Sequence, residues 1–389
     1  MARTNSNLLY PFSSFLTPSA QSEGVMSIWT YLQQAGRPVV LYGTGNGADK
    51  ILDRLAEHDI PVSGVFASSE FVRDRSFRGF RVETYDALHS RFPNMIVLVC
   101  FGTSRPEVLG NIERIAAECE VFAPDVPVYG DNLFDDTFFL EHEAELNQVY
   151  AELEDDLSRA TLNQIVRYKL SGDYRLLRSC ERPLSDHIDL LQDKFGPDGY
   201  FVDLGAYTGD TVEYYSSAFA NEITKVLAVE PDGRNFRKLQ ETSQRLTTPS
   251  LAIHCTRALI SDRDGVVHID RNKGRGVHIQ DVQTKQDAPQ ATSAAIAEET
   301  TAASLVTLLQ GEKASLIKMD VEGAELAAIS GGETIIQRDR PSLIVSCYHR
   351  NEDLFTLPLR LKELVPEYKI YMRHHPHLLS WDTEYILTT

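Results

Sequence analysis

Phe201-Val-Asp203-Leu-Gly205-Ala206-Tyr207-Thr-Gly209-Asp210-Thr211 is the stretch on which the reading of this chain turns. Tyr200–Leu204 reads as a short buried strand, and Asp210–Phe219 has helical character. Gly205, in the turn between them, lets a ligand approach backbone that a side chain would shield. The helix opening near Asp210 and Thr211 offers unpaired N–H groups that favour a carboxylate. Val226–Val229 reads as the next strand, with Glu230 at its carboxyl end, about 20 residues after the turn. In an open α/β sheet that position borders the first strand's crevice, where an acid accepts both hydroxyls of a ribose. Glu230 by itself fits NAD or S-adenosylmethionine. The turn lacks GxGxxG and carries an acid, Asp203, inside the strand, which argues against a dinucleotide.

Outward from this turn the α/β alternation continues. Arg234–Leu246 reads as a helix, then Leu251–Ile260 and Val266–Ile269 as strands. Gln280–Ser304, rich in Ala, Thr, Gln and Ser, reads as a mobile insertion between strands. Ser315–Met319 is expected as a strand, Ala324–Ser330 as a helix and Ser342–Cys347 as a strand. Tyr368–Arg373 and Tyr385–Leu387 are expected as a final strand pair joined through His374–Asp382. Upstream, residues 131–195 are acidic and lack strand-like runs, while Leu146, Val149, Leu153 and Leu157 recur at helical spacing. This predicts a helical connector whose apolar stripe is core.

A separate α/β series precedes the connector. Pro38–Tyr42, Pro61–Phe66, Met95–Phe101 and Val121–Tyr129 read as strands, with helices through about His58 and over Pro106–Glu118. The expected architecture is α/β: two doubly wound Rossmann-like domains joined by the connector. The divisions are a tail over 1–26, a Rossmann-like domain over 27–130, the connector over 131–195 and a second domain over 196–389. The first domain carries Gly43-x-Gly45-x-Gly47, whose third glycine comes one position early for a dinucleotide turn, although Ala48 is small. Its second strand ends Val65-Phe66-Ala67-Ser68 with no acid for a ribose, Glu70 being displaced. The segment is similar to the nucleotide-sugar-binding-like Rossmann units in front of some sugar-modifying enzymes. It is expected either to dock a substrate or carrier nucleotide, or to serve as a scaffold.

Composition bounds the partners. The 389 residues hold 38 Lys and Arg against 56 Asp and Glu, a formal net charge of −18. That balance disfavours nucleic acid and anionic membranes, although Arg271, Lys273 and Arg275 form a local basic patch. Cys100, Cys119, Cys180, Cys255 and Cys347 form no CxxC pair, so no disulfide framework, zinc site or other metal is expected, and a reducing cytoplasm fits. The start of the chain shows no signal-peptide pattern, and no run reaches the ~20 apolar residues of a membrane span. Oligomeric state is left open, a homo-oligomer being allowed.

Taken together, Val-Asp203-Leu-Gly205-Ala-Tyr-Thr-Gly209-Asp210-Thr211, Val-Glu230-Pro231-Asp232 and Ile317-Lys318-Met-Asp320-Val-Glu322-Gly323-Ala-Glu325 resemble the FkbM-type methyltransferases over about residues 180–389. The resemblance implies a class I methyltransferase fold and S-adenosylmethionine as cofactor. It also implies O-methylation of a glycan, sugar nucleotide or secondary metabolite. Carried over by position, Asp203, Gly205, Ala206, Tyr207, Gly209, Asp210, Thr211, Glu230, Pro231, Asp232 and Asp320 line the cofactor, with Asp320 facing the methyl group. Many relatives carry Leu-Asp ahead of the Asp-Val-Glu-Gly strand, where this chain has Ser304-Leu305-Val306.

A hydroxyl acceptor benefits from a base, worth about 10²- to 10⁴-fold. His349, just past the strand Ser342–Cys347, is the expected proton acceptor, beside Asp320. Tyr348 and Arg350 are candidates to orient substrate. His374, His375 and His377 are read as solvent-facing loop histidines. A different function class, a non-catalytic nucleotide-binding or scaffold protein with a methyltransferase-like domain, is the alternative.

Overall fold

The computed structural model describes residues 25–68, 76–130, 133–192, 194–195, 199–270, 279–280 and 297–389. The tail (up to residue 24), Glu70, the basic patch at Arg271, Lys273 and Arg275, and residues 281–296 of the expected insertion lie outside them. The chain forms two compact units: Met1–Pro183 with Met372–Thr383, and Leu184–Tyr371 with Glu384–Thr389. Among the described residues no helix is long and apolar enough to cross a membrane.

The first unit runs α1 (Ile28–Ala35), β1 (Val39–Tyr42), α2 (Asn46–Glu57), β2 (Val62–Phe66), β3 (Ser76–Phe77), β4 (Phe80–Glu83), α3 (Tyr85–Arg91), β5 (Ile96–Val99), α4 (Pro106–Ala116) and β6 (Glu120–Phe122). Helices α5 (Asp136–Glu152), α6 (Asp156–Ser171) and α7 (Tyr174–Cys180) follow. The six-stranded sheet has the order β3-β4-β2-β1-β5-β6. Every described pairing is parallel except that of β3 with β4. All four residues of both β1 and β5 are buried, as a sheet covered on both faces requires. The strand expected over Val121–Tyr129 stops at Phe122, because Pro124 and Pro127 cannot donate to a ladder. The helical stripe divides too. Leu153 turns extended (ψ 136) at the end of α5, so Leu146 and Val149 lie on one helix and Leu157 on the next.

The second unit runs α8 (Asp186–Leu191), β7 (Gly199–Leu204), α9 (Asp210–Ala218), β8 (Ile223–Val229), α10 (Gly233–Leu246), β9 (Ala252–Thr256), β10 (Leu259–Ile260), β11 (Gly265–Asp270), β12 (Ile279–Gln280) and β13 (Ala297–Ala303). It continues with α11 (Leu305–Leu309), β14 (Leu316–Met319), α12 (Glu325–Ser330), α13 (Glu333–Asp339), β15 (Ser342–Ser346), α14 (Asp353–Leu364), β16 (Lys369–His374) and β17 (Thr383–Thr388). The main sheet has seven strands in the order β16-β17-β15-β14-β7-β8-β9. Strands β9, β8, β7, β14 and β15 are parallel, and β17 joins β15 antiparallel. Winding reverses between β7 and β14, which opens a crevice at the carboxyl ends of those strands.

Two expectations change in this unit. The single strand read over Leu251–Ile260 is β9 and β10, which sit in different sheets. The end of the expected insertion is strand β13, which pairs antiparallel with β11 in a four-stranded sheet β10-β13-β11-β12. The missing acid before the Asp-Val-Glu-Gly stretch has a counterpart from elsewhere. Asp264 accepts the Ser304 N–H (2.8 Å) and the Thr307 hydroxyl (2.6 Å), while Ser304 Oγ caps α11.

The crevice depends on one tight approach. Gly205 has φ +85, and a Cβ there would lie 1.9 Å from the Asp320 carbonyl oxygen. Gly205→Ala is expected to cost at least ~2 kcal/mol of stability in urea denaturation, from left-handed strain plus the backbone overlap. Gly311→Ala, at φ +89 with nothing within 4 Å, carries the strain alone and is expected to cost clearly less.

Candidate active site

The turn after β7 is knitted to the end of β8. Gly205 and Ala206 both donate N–H to Val229 O (2.9 Å each), and Gly209 donates to Ala206 O (2.7 Å). Tyr207 is left-handed (φ 46) and exposed, and its N–H reaches Glu230 Oε2 at 3.0 Å. The Asp232 N–H donates to Glu230 Oε1 at 2.9 Å. Glu230 is only 6% exposed, and burial pushes its carboxyl up to about 7 against the pull of these two backbone donors. A carboxylate has about four lone-pair sites, so Glu230 keeps acceptor capacity beyond the turn it braces.

Asp203, fully buried on β7, stands across from Lys318 on β14. Its Oδ2 accepts the Thr211 hydroxyl, while Oδ1 has no hydrogen-bond partner among the described residues. Burial lifts this carboxyl to about 6, although Lys318 and Thr211 pull it down. Helix α9 starts from Gly209 (φ 89), which brings no side-chain cap, so Asp210 and Thr211 open a first turn without a side-chain acceptor.

The second half of the site gathers at the ends of β14 and β15. Lys318 is buried among Asp320, Asp203 and Glu384. Burial opposes its charge, but the three carboxylates hold its pKa above the usual lysine value. Its Nζ donates to Asp320 Oδ2 at 3.4 Å, and the Tyr348 hydroxyl donates to Asp320 Oδ1 at 3.1 Å. After Asp320, Glu322 (φ 53) and Gly323 (φ 91) are both left-handed, and the Arg350 Nε–H donates to Gly323 O (2.9 Å). That reversal carries Glu325 back so that its Oε1 accepts the Val321 N–H at 2.9 Å.

His349, 1% exposed, lies among these acids. Its Nδ1 is 2.9 Å from Glu325 Oε1, and its Nε2 is 3.5 Å from Asp320 Oδ1 and 3.6 Å from Glu322 Oε2. Burial alone would lower its pKa, but Glu325, Asp320 and Glu322 together raise it to about 9. The acids around it thus favour the protonated imidazole.

Each expected residue thus has a definite place. Asp203, Gly205, Tyr207, Gly209, Asp210, Thr211 and Glu230 border the turn beside β7, and Asp320 stands across the crevice. Ala206 contributes shape: its N–H and carbonyl are both used within the turn, and its methyl is fully buried. Asp232 caps α10 through the N–H groups of Arg234 and Asn235, and Pro231 O accepts from Arg257. Lys318, Glu325 and Asp353 were assigned no role from the sequence. Asp353 is 2% exposed, accepts the Arg350 N–H at 2.9 Å, and is pushed up by burial and by Glu325. Spacing gave a signal only for Glu325, an acid at a helix start, which equally suits the helix dipole. Two of the three histidines read as solvent-facing, His374 and His375, are packed inside the first unit, and His377 is half-buried. His374 is fully buried against Thr383 Oγ1 (2.9 Å), burial lowering its pKa to about 3, and His375 Nδ1 is 2.9 Å from Arg182 O.

In the first unit, two of the three glycines in the turn after β1 answer to packing, while a Cβ on Gly45 would meet nothing within 4 Å. A Cβ on Gly47 would meet Cys100 O at 2.2 Å, and one on Gly43 (φ +120) would meet the Phe101 ring at 2.8 Å. Lys50, on the following helix, donates to Pro127 O (2.6 Å) and Val128 O (3.2 Å).

Residues 203–384 match the family model described as the methyltransferase FkbM domain. Among solved structures, methyltransferase FkbM from Methylobacillus flagellatus KT is 19% identical with a TM-score of 0.67, covering 92% of each chain. An rRNA methylase from Streptococcus thermophilus is 11% identical with a TM-score of 0.31, over 53% of this chain and 95% of that one. Precorrin-6y C5,15-methyltransferase from Geobacter metallireducens GS-15 is 10% identical with a TM-score of 0.30, over 52% and 84%. No curated protein matches. The Asp203–Thr211 turn and the Asp320–Glu325 stretch both fall within the matched region, and residues 203–384 are a methyltransferase FkbM domain.

Proposed function

We propose that this methyltransferase takes its methyl group from S-adenosylmethionine and delivers it to a hydroxyl of a glycan, sugar nucleotide or related metabolite. The observation that carries the reading is the pairing of a buried ribose-type acid, Glu230, with a carboxylate, Asp320, across one crevice. The donor set fits the cofactor. Glu230 has acceptor capacity for a ribose diol, and the uncapped first turn of α9 suits a carboxylate. The unpartnered Oδ1 of Asp203 suits an ammonium donor.

When bound, S-adenosylmethionine supplies an electrophilic methyl: an O–CH₃ bond forms as the S–CH₃ bond breaks, its electron pair going to sulfur. The protein's share is orientation, which contributes up to ~7–11 kcal/mol to such displacements, and removal of the hydroxyl proton. Asp320 takes that proton. His349 and Tyr348 hold its Oδ1 side and Lys318 its Oδ2 side, so the carboxylate is fixed in direction. The first unit is a scaffold in this reading, since Gly43 and Gly47 of its turn are required by packing against Phe101 and Cys100.

Two outcomes are expected. S-adenosylhomocysteine should bind in isothermal titration, its affinity falling as pH drops through about 7, by at most tenfold per unit, as Glu230 becomes protonated. Glu230→Gln should bind roughly 10- to 100-fold more weakly with a flat pH profile. Binding that ignores both pH and this substitution overturns the ribose assignment. For the acceptor, mass spectrometry of glycans and sugar nucleotides incubated with enzyme and cofactor should reveal a product heavier by one methylene. With that acceptor, Asp320→Asn should lower turnover roughly 10²- to 10⁴-fold while S-adenosylhomocysteine still binds. Unchanged turnover removes Asp320 from the chemistry.

A further inference from the structure

The acids around His349 are arranged for more than an ion pair. Asp320, Glu325 and His349 each direct one donor atom into a space where all three atoms lie within 4.8 Å of one another. Glu325 and His349 are essentially inaccessible, at 0% and 1% exposure, while the side chain of Asp320 is 29% exposed and opens the cluster on one side. Glu322, with its side chain 43% exposed, stands 3.6 Å from His349 Nε2 at that open side.

A second observation concerns Glu325 alone. Its Oε1 accepts the Val321 N–H and faces His349 Nδ1, yet its Oε2, wholly buried, accepts no hydrogen bond among the described residues. A buried carboxylate oxygen without a donor is rare in a folded protein, and one common explanation is an ion that belongs beside it. Lys318 Nζ donates to Asp320 Oδ2 and Arg350 Nε to Gly323 O. The backbone invests in this placement too, since the consecutive left-handed residues Glu322 and Gly323 are what return Glu325 beneath Asp320.

We propose that Asp320, Glu325 and His349 form a divalent-cation site in the wall of the methyl-transfer crevice. Two carboxylates and an imidazole suit a borderline ion such as Mn²⁺ or Zn²⁺ better than Mg²⁺, which favours an all-oxygen shell. The cation answers the unpaired Oε2 of Glu325 and leaves coordination positions on the side where Asp320 is exposed. Its role rests on the O-methyl-transfer reading above. Bound to the acceptor oxygen, it favours the deprotonated hydroxyl, one oxygen of Asp320 serving the cation and the other remaining for the departing proton. An acceptor with two adjacent oxygens, a vicinal diol or a hydroxy acid, is the substrate class that such a cation would select.

The test is metal binding by the full chain, read independently of turnover. Protein stripped with EDTA and dialysed is titrated with Mn²⁺, free ion being followed by electron paramagnetic resonance, and Co²⁺ is added in parallel to read nitrogen ligation from its visible spectrum. One ion per chain is expected, with affinity falling roughly tenfold or more in each of His349→Asn, Glu325→Gln and Asp320→Asn. The solvent-reaching Asp320→Asn serves should either buried substitution fail to fold, and circular dichroism checks all three. No stoichiometric ion at millimolar metal, or an ion whose affinity ignores all the variants that fold, overturns the proposal. S-adenosylhomocysteine binding in the same samples keeps the two readings apart. If that binding persists without a metal site, only the cation is lost; if it is absent, the cofactor reading fails by itself.

Discussion

The site depends on keeping one ammonium group in a dry place. Lys318 sits inside the sheet with Asp203 across from it, Asp320 two residues along and Glu384 from the final strand. A lysine without partners would not stay charged at that depth, and acids without the lysine would not stay ionised. Each makes the other tolerable. The arrangement joins β7, β14 and β17 electrostatically at the level where the crevice begins, so the acid borne at the end of β14 is held in place from behind.

Around that centre the polar groups divide by face. Beside β7 the turn is closed by backbone N–H groups donating to Glu230 and Val229 O, with one glycine allowing β7 and β14 to end almost in contact. Beyond β14 the work is done by side chains, from Tyr348, His349 and Glu325. The first half is shaped to receive a ligand of fixed form. The second gathers charge around Asp320.

Much of this was legible in the residues, and the reasons differ by element. The parallel strands declared themselves because four-residue apolar runs such as Val39–Tyr42 and Ile96–Val99 have few other uses. The position of Glu230 at the carboxyl end of β8 was readable from the regular strand–helix alternation, whereas the two backbone N–H groups it accepts, from Tyr207 and Asp232, were not. The strand over Val121–Tyr129 was overextended because apolar content outweighed two prolines in the reading. Strand β13, rich in Ala, Thr and Glu, has no apolar run to announce it and is held by pairing with β11. The place of His349 just past β15 was legible, but the acids around it were not, since they lie some 24 to 29 residues away and come together through the pairing of β14 with β15 and the left-handed Glu322–Gly323 pair. The buried His374 was missed because a His-His-Pro-His run looks polar and loop-like, while its ring is held by Thr383 and its carbonyl by the Arg182 N–H.

The segment Met372–Thr383 has a consequence for how the chain can be divided. It begins within β16, clusters with the first unit, and ends at the start of β17. On the way it is fastened there: the Met372 N–H to Ser158 Oγ, Arg373 to Asp155, Ser380 to Asp125, and Leu378 in a bridge with Thr103. The two units are therefore not successive beads on a string, and no single cut in the polypeptide yields both of them whole. Severing after Pro183 would deprive the amino-terminal piece of twelve of its own residues while the carboxy-terminal piece kept them without their anchors. The methyltransferase sheet receives its last strand only after that detour, so the completion of the one fold waits, in chain order, on a visit to the other.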